Sequence, residues 1–172
     1  MPFSMSGRTV GLISLILFIL TIPAGNWVVM NVGTVCQPDS PCLIPVWHGI
    51  MSPSAVLFAG LALILRDAVQ SLLGKRWTLV AIAAGAALSG ILSEPAIILG
   101  STCAFLFSEL ADFAVYTPLR ERHLTLAIVL SGLVGSIVDS VIFLSLAFGS
   151  LDFIVGQVIG KFWMSLIAGA MI

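Results

Sequence analysis

Apolar residues gather into six long stretches, each about the length a helix needs to cross a bilayer. They run roughly over residues 8–30, 51–72, 77–93, 96–117, 123–148 and 153–172. Runs of this length, broken by short polar segments, predict an all-α integral membrane protein. We read the chain as one transmembrane domain of six helices, residues 1–172. The first stretch has an apolar core too long for a signal peptide and lacks a small-residue cleavage site, so it is expected to remain as the first helix.

Composition supports this reading. Hydrophobic residues make up 59% of the chain and charged residues only 9%, against about 25% charged in ordinary soluble domains. Seven basic and eight acidic residues leave no basic footprint for nucleic acid. No phosphate loop or nucleophile motif stands in the sequence, so no enzyme activity and no cofactor are expected.

The basic residues also orient the chain. Arg8, Lys75, Arg76, Arg120 and Arg122 flank one side of the spans, while loops 31–50, 93–95 and 149–152 contain no Lys or Arg. The positive-inside rule then places both termini in the cytoplasm. A multi-pass protein of the inner membrane is expected. The longest outer loop carries Cys36 and Cys42, which are expected to bridge in an oxidising compartment. Two free thiols are the alternative. Asp39 and His48 do not complete a zinc set with them. Glu94, in the tight outer turn before Pro95, is expected to be solvated. Cys103 reads as a packing residue.

The polar positions within the spans carry the chemistry. Phe105, Glu109, Asp112 and Tyr116 fall on one helical stripe. A carboxylate facing lipid costs at least ~2.5 kcal/mol, so this stripe should face protein or a cavity. Glu109 then either handles substrate or protons, or serves as structural glue. Arg66 and Gln70 share a face of the second span; Arg66 either snorkels to the cytoplasm or pairs with Glu109 or Asp112. The Ala- and Gly-rich third span reads as close helix packing.

In the fifth span, Gly132, Ser136, Asp139 and Phe143 form a second stripe. In the sixth, Gln157, Lys161 and Ser165 share a face. Lys161 lies about 12 Å from the outer start of its span, a depth at which Asp139 is its natural partner. Asn26 and Trp27, at the outer end of the first span, either anchor the interface or line the mouth of a site. Within or near the apolar zone, Arg66 and Lys161 face Asp67, Glu109, Asp112 and Asp139. A surplus of acceptors suits a ligand rich in N–H donors, or a proton, and suits an anion poorly.

Several of these motifs match a known pattern. Trp47-His48-Gly49 leads into a span ending Arg66-Asp67-x-x-Gln70-x-x-x-Gly74. Then come Phe107-Ser108-Glu109-Leu110-x-Asp112-x-x-Val115-Tyr116-x-x-Leu119-Arg120 and Ser131-Gly132-x-x-Gly135-Ser136-x-x-Asp139-Ser140-x-x-Phe143. With Gly25-Asn26-Trp27 before them and Lys161 after, this order resembles the vitamin uptake transporter family, the queuosine-precursor transporters. The resemblance covers about residues 8–172.

It implies a six-helix fold similar to the substrate-binding components of energy-coupling-factor transporters. It also implies uptake of 7-cyano- or 7-aminomethyl-7-deazaguanine, precursors used in tRNA modification. Such subunits often carry Ala-x-x-x-Ala on their first span, which this chain lacks. The expected substrate site comprises Glu109, Asp139, Lys161, Asn26, Trp27, Trp47, Gln157, Phe105, Phe143 and Ser136. The carboxylates would accept the ligand's N–H groups, and the aromatic rings, with Trp163, would flank its plane. Expected partners are the deazaguanine and membrane lipid, with a homo-oligomer left open.

Overall fold

The computed structural model describes residues 6–38, 40–93, 95 and 97–170. Asp39 and Glu94 lie outside them, so their expected roles are not addressed by it. The described residues form six helices: α1 (Gly7–Asn31), α2 (Val56–Leu73), α3 (Lys75–Leu92), α4 (Ile98–Leu119), α5 (Leu124–Phe148) and α6 (Ile154–Ala170). Helices α1 to α5 are long and apolar enough to span a membrane, and α6 has a shorter apolar stretch, Ile154–Ile167. This is an all-α membrane protein with one small addition, a hairpin of β1 (Leu43–Trp47) and β2 (Ile50–Pro53).

The hairpin corrects the expected start of the second span. Residues 51–53 pair in β2, and α2 begins only at Val56. Proline explains the shift. Pro53 has no N–H for a helical ladder, and it disfavours helix at Ser52. The hairpin is tied down at its base. Cys36 and Cys42 are bridged, the Cys42 N–H donates to the Val29 carbonyl at 2.8 Å, and Ser54 Oγ donates to the Val28 carbonyl at 3.0 Å.

Glycines set how closely the helices approach. A Cβ at Gly132 of α5 would overlap Ser165 of α6, and one at Gly100 of α4 would lie 2.9 Å from the Ala147 backbone of α5. The most extensive contacts are α4 with α5, followed by α1 with α2 and α5 with α6. Such close crossings are how helices associate in lipid, where no hydrophobic effect drives them together. Gly156 and Gly160 leave one face of α6 bare, and Met51 and Val46 of the hairpin pack into it. Gly74, at φ +90°, ends α2 and lets α3 start at the next residue. That tight turn makes α2 and α3 antiparallel neighbours.

Candidate functional site

Two buried charged centres and one cavity occupy the middle of the bundle. The first centre is Lys161 on α6, which is fully buried. It donates to Asp139 Oδ2 of α5 at 2.5 Å, to Ser140 Oγ at 3.0 Å, and to Gln157 Oε1 one turn back on α6. Three acceptors match the three donors of an ammonium. A lysine buried this deeply needs such a set, because an unpaired charge in the interior is prohibitive. Among the described residues no hydrogen bond reaches Asp139 Oδ1.

The second centre is Arg66 on α2, also fully buried. Its guanidinium pairs with Asp67 at 2.8 Å, with Glu109 at 3.2 Å, and with Asp112. It also donates to Gln70 Oε1 at 3.2 Å and lies 5.5 Å from the Tyr116 ring centroid. Gln70 Nε2 in turn donates to Thr117 Oγ1 at 2.8 Å. The fork of an arginine offers five donors in fixed directions against three on an ammonium, which suits it to several carboxylates at once. Arg66 therefore does not snorkel. It pairs with both acids considered for it, and with Asp67, its neighbour in the chain.

The cavity runs between these centres and the hairpin end of the bundle. Its larger chamber holds about 570 Å³ of space free of protein atoms, part of it open at the mouth. Asn26, Phe58, Ala59, Phe105, Asp139, Phe143 and Gln157 are among its walls. A smaller chamber of about 260 Å³ continues inward past Ala59, Ala62, Phe105 and Asp139 to Glu109 and Lys161. The alanines of α2 leave this space open. Asp139 and Phe105 line both chambers, so one carboxylate is presented along the length of the cavity.

Seven of the ten expected site residues meet at this cavity: Glu109, Asp139, Lys161, Asn26, Gln157, Phe105 and Phe143. Three do not reach it. Trp27 is 60% exposed, because it follows Asn26 by about 100° of helical turn and points away. Trp47 is 54% exposed and stacks on Trp163 of α6, with centroids 5.5 Å apart, outside the cavity. Ser136 is buried, and its hydroxyl donates to the Gly132 carbonyl one turn back. That bond is internal to α5.

A polar patch near the mouth comes from α3 and α4. Asn26 Nδ2 donates to Ser93 Oγ at 2.8 Å, and Asn26 Oδ1 accepts from Ser101 Oγ at 2.8 Å. Ser89 Oγ lies 2.8 Å from Ser101 Oγ. Reading α3 as pure packing missed these serines. The signal was Ser89 and Ser93, one turn apart on an apolar helix, facing a buried amide that needed partners.

The family model described as "Putative vitamin uptake transporter" matches residues 56–172. The chain belongs to that family. The match begins at α2 and takes in both charged centres, while α1 and the hairpin precede it. No curated protein matches the chain, and no solved structure does. Within this vitamin uptake transporter the cavity joins matched helices to α1, since Asn26 forms part of the wall.

Proposed function

We propose that this transporter takes up queuosine precursors, 7-cyano- or 7-aminomethyl-7-deazaguanine, across the inner membrane. The observation carrying the reading is the placement of Asp139. Lys161 holds one of its oxygens, and the carboxylate lines an aromatic-walled cavity. A guanine-like edge offers paired N–H donors, which a carboxylate accepts in bidentate fashion. Asp139 and Glu109 supply acceptors at two depths, and the amides of Asn26 and Gln157 can meet the ring's carbonyl and remaining N–H groups. Phe105 and Phe143 offer faces for the flat ring.

The experiment is an affinity panel on purified protein with 7-deazaguanines, guanine and water-soluble vitamins. Micromolar or tighter binding of a 7-deazaguanine, about tenfold or more above guanine, is expected. Preference for a vitamin of unrelated shape would refute the substrate assignment.

Residues 1–172 act in this reading as one transmembrane domain that contacts lipid and small molecule and binds no nucleic acid. A homo-oligomer is compatible with it. Both termini face the cytoplasm, because Arg8, Lys75, Arg76, Arg120 and Arg122 all flank that side. Single-cysteine variants on a Cys-free background are expected to react at residue 121 only from the cytoplasmic side. Labelling there from the periplasmic side alone would invert the topology.

A further inference from the structure

The Asn26 amide is held in one of its two orientations, and a single carbonyl decides which. Ser93 Oγ lies 2.6 Å from the Ser89 carbonyl oxygen, one turn back on α3. A carbonyl oxygen only accepts, so the one hydrogen of the Ser93 hydroxyl goes there. Lone pairs are what remains on Ser93 Oγ. The Asn26 atom 2.8 Å from it is therefore the nitrogen, because an oxygen in that place would set two acceptors against each other. With Nδ2 on Ser93, Oδ1 lies 2.8 Å from Ser101 Oγ and takes the hydrogen of that hydroxyl. Ser101 has no second hydrogen, so the 2.8 Å bond between it and Ser89 Oγ is donated by Ser89.

Every hydroxyl hydrogen of this ring is thereby engaged, and Asn26 Oδ1 already accepts one. The second N–H of Asn26 is the donor left over among the described residues. Asn26, Ser89 and Ser101 line the larger chamber, and Ser93 is buried beside them. A ligand that reaches Asn26 therefore meets an N–H.

Gln157 obeys the same rule on α6. Its Oε1 faces the Lys161 ammonium, which carries donors only, so its N–H groups remain for the cavity. The same ammonium holds Asp139. Asp139 and Gln157 are thus neighbours, an acceptor beside a donor, and Asn26 of α1 is a second donor.

A 7-deazaguanine presents its groups in a matching order. Along one edge of the base come the 2-amino and N1 donors, then the 6-oxo acceptor, then the substituent at C7. Asp139 takes the donors, Gln157 takes the oxo group, and Asn26 is left with the substituent. A nitrile there is an acceptor. An aminomethyl group, protonated at neutral pH, is a donor only.

We propose that Ser93 and Ser101 are positioning residues that lock the Asn26 amide with an N–H for the ligand, so that the cavity favours an acceptor, a nitrile, at C7. The preference rests on the ligand reading above; the lock itself does not.

The test is the affinity of the full-length protein for the 7-cyano and 7-aminomethyl bases in wild type, Ser93→Ala and Ser93→Thr. Ser93→Ala takes away the lone pairs that hold Nδ2, and the amide is then able to turn its oxygen round. The ratio of cyano to aminomethyl affinity is expected to fall about three- to tenfold, the worth of one neutral hydrogen bond. Ser93→Thr keeps a hydroxyl for the Ser89 carbonyl and is expected to keep the ratio. An unchanged ratio in Ser93→Ala would overturn the preference while leaving the ligand reading intact. Binding of neither base by wild type would overturn the ligand reading and the preference together.

The lock is tested without ligand. The chain has two asparagines, Asn26 and Asn31, so isotopic labelling of asparagine nitrogen gives two side-chain amide signals in the NMR spectrum of the detergent-solubilised protein. The Asn26 signal, assigned by its loss in Asn26→Ala, is expected to move in Ser93→Ala, because its nitrogen loses a partner. A signal that stays in place would put oxygen rather than nitrogen against Ser93 and overturn the lock.

Discussion

Lys161→Ala is expected to abolish measurable ligand binding and to lower the melting temperature of the purified protein sharply. The ammonium is fully buried and satisfies Asp139, Ser140 and Gln157 together. Removing it leaves a carboxylate without its counter-charge in a site shielded from bulk water, a change that costs about 3–5 kcal/mol. It also frees Asp139 to rotate, so the acceptor aimed at the ligand is lost with the charge. Adding Asp139→Asn to Lys161→Ala removes the orphaned charge. The double variant is expected to recover much of the stability and none of the affinity. Thermal melts and equilibrium binding on the three proteins separate the two effects. Wild-type affinity in Lys161→Ala would place the pair outside the ligand site.

Arg66→Ala should be the most damaging single change in the bundle. One guanidinium holds Asp67, Glu109 and Asp112 around it, and also reaches Gln70. Without it, three carboxylates on α2 and α4 face one another across a buried gap. Like charges at that range repel, and each has lost its partner. The variant is expected to aggregate or to fail to accumulate in the membrane. Arg66→Lys should rescue it only in part, since a point ammonium cannot reproduce the fork. Arg66→Met combined with Glu109→Gln and Asp112→Asn should restore a monodisperse protein, because no charge is left unpaired among those three positions. Size-exclusion profiles of the series read this directly. A monodisperse Arg66→Ala protein with wild-type thermal stability would mean that the ion cluster does not hold α2 to α4.

Much of this architecture was legible in the sequence because charge is so rare within the spans. Lys161 and Asp139 could be matched by depth alone, and for Arg66 the acids of the fourth span were candidate partners, although Asp67 beside it was not among them. Helix ends were legible where glycine or a basic turn punctuates the chain, as at Gly74 and Gly149, both with positive φ. The hairpin was not. Residues 43–50 read as outer loop and 51–53 as the start of the second span, because short apolar runs do not distinguish strand from helix by periodicity. Trp47 was drawn into the site by its aromatic character, yet its ring stacks on Trp163 at the surface. Trp27 failed for a simpler reason: it lies about 100° round the helix from Asn26, which holds the inward position, and its ring points outward. Ser136 sits on the correct stripe, but a serine in an apolar helix satisfies itself on its own backbone. The Asn26–Ser93–Ser101 patch joins residues 67 and 75 positions apart, and no local pattern reveals so distant a pairing.

The most direct measurement of the site is the affinity of 7-cyano-7-deazaguanine for Glu109→Gln and Asp139→Asn, each compared with wild type on monodisperse detergent-solubilised protein. Each carboxylate is assigned charge-assisted bonds worth roughly 1.5–3 kcal/mol. Both variants are therefore expected to bind about tenfold more weakly or worse, with elution profiles unchanged. Wild-type affinity in both would show that the acids only hold the helices together, and would contradict the assignment of this cavity to the ligand.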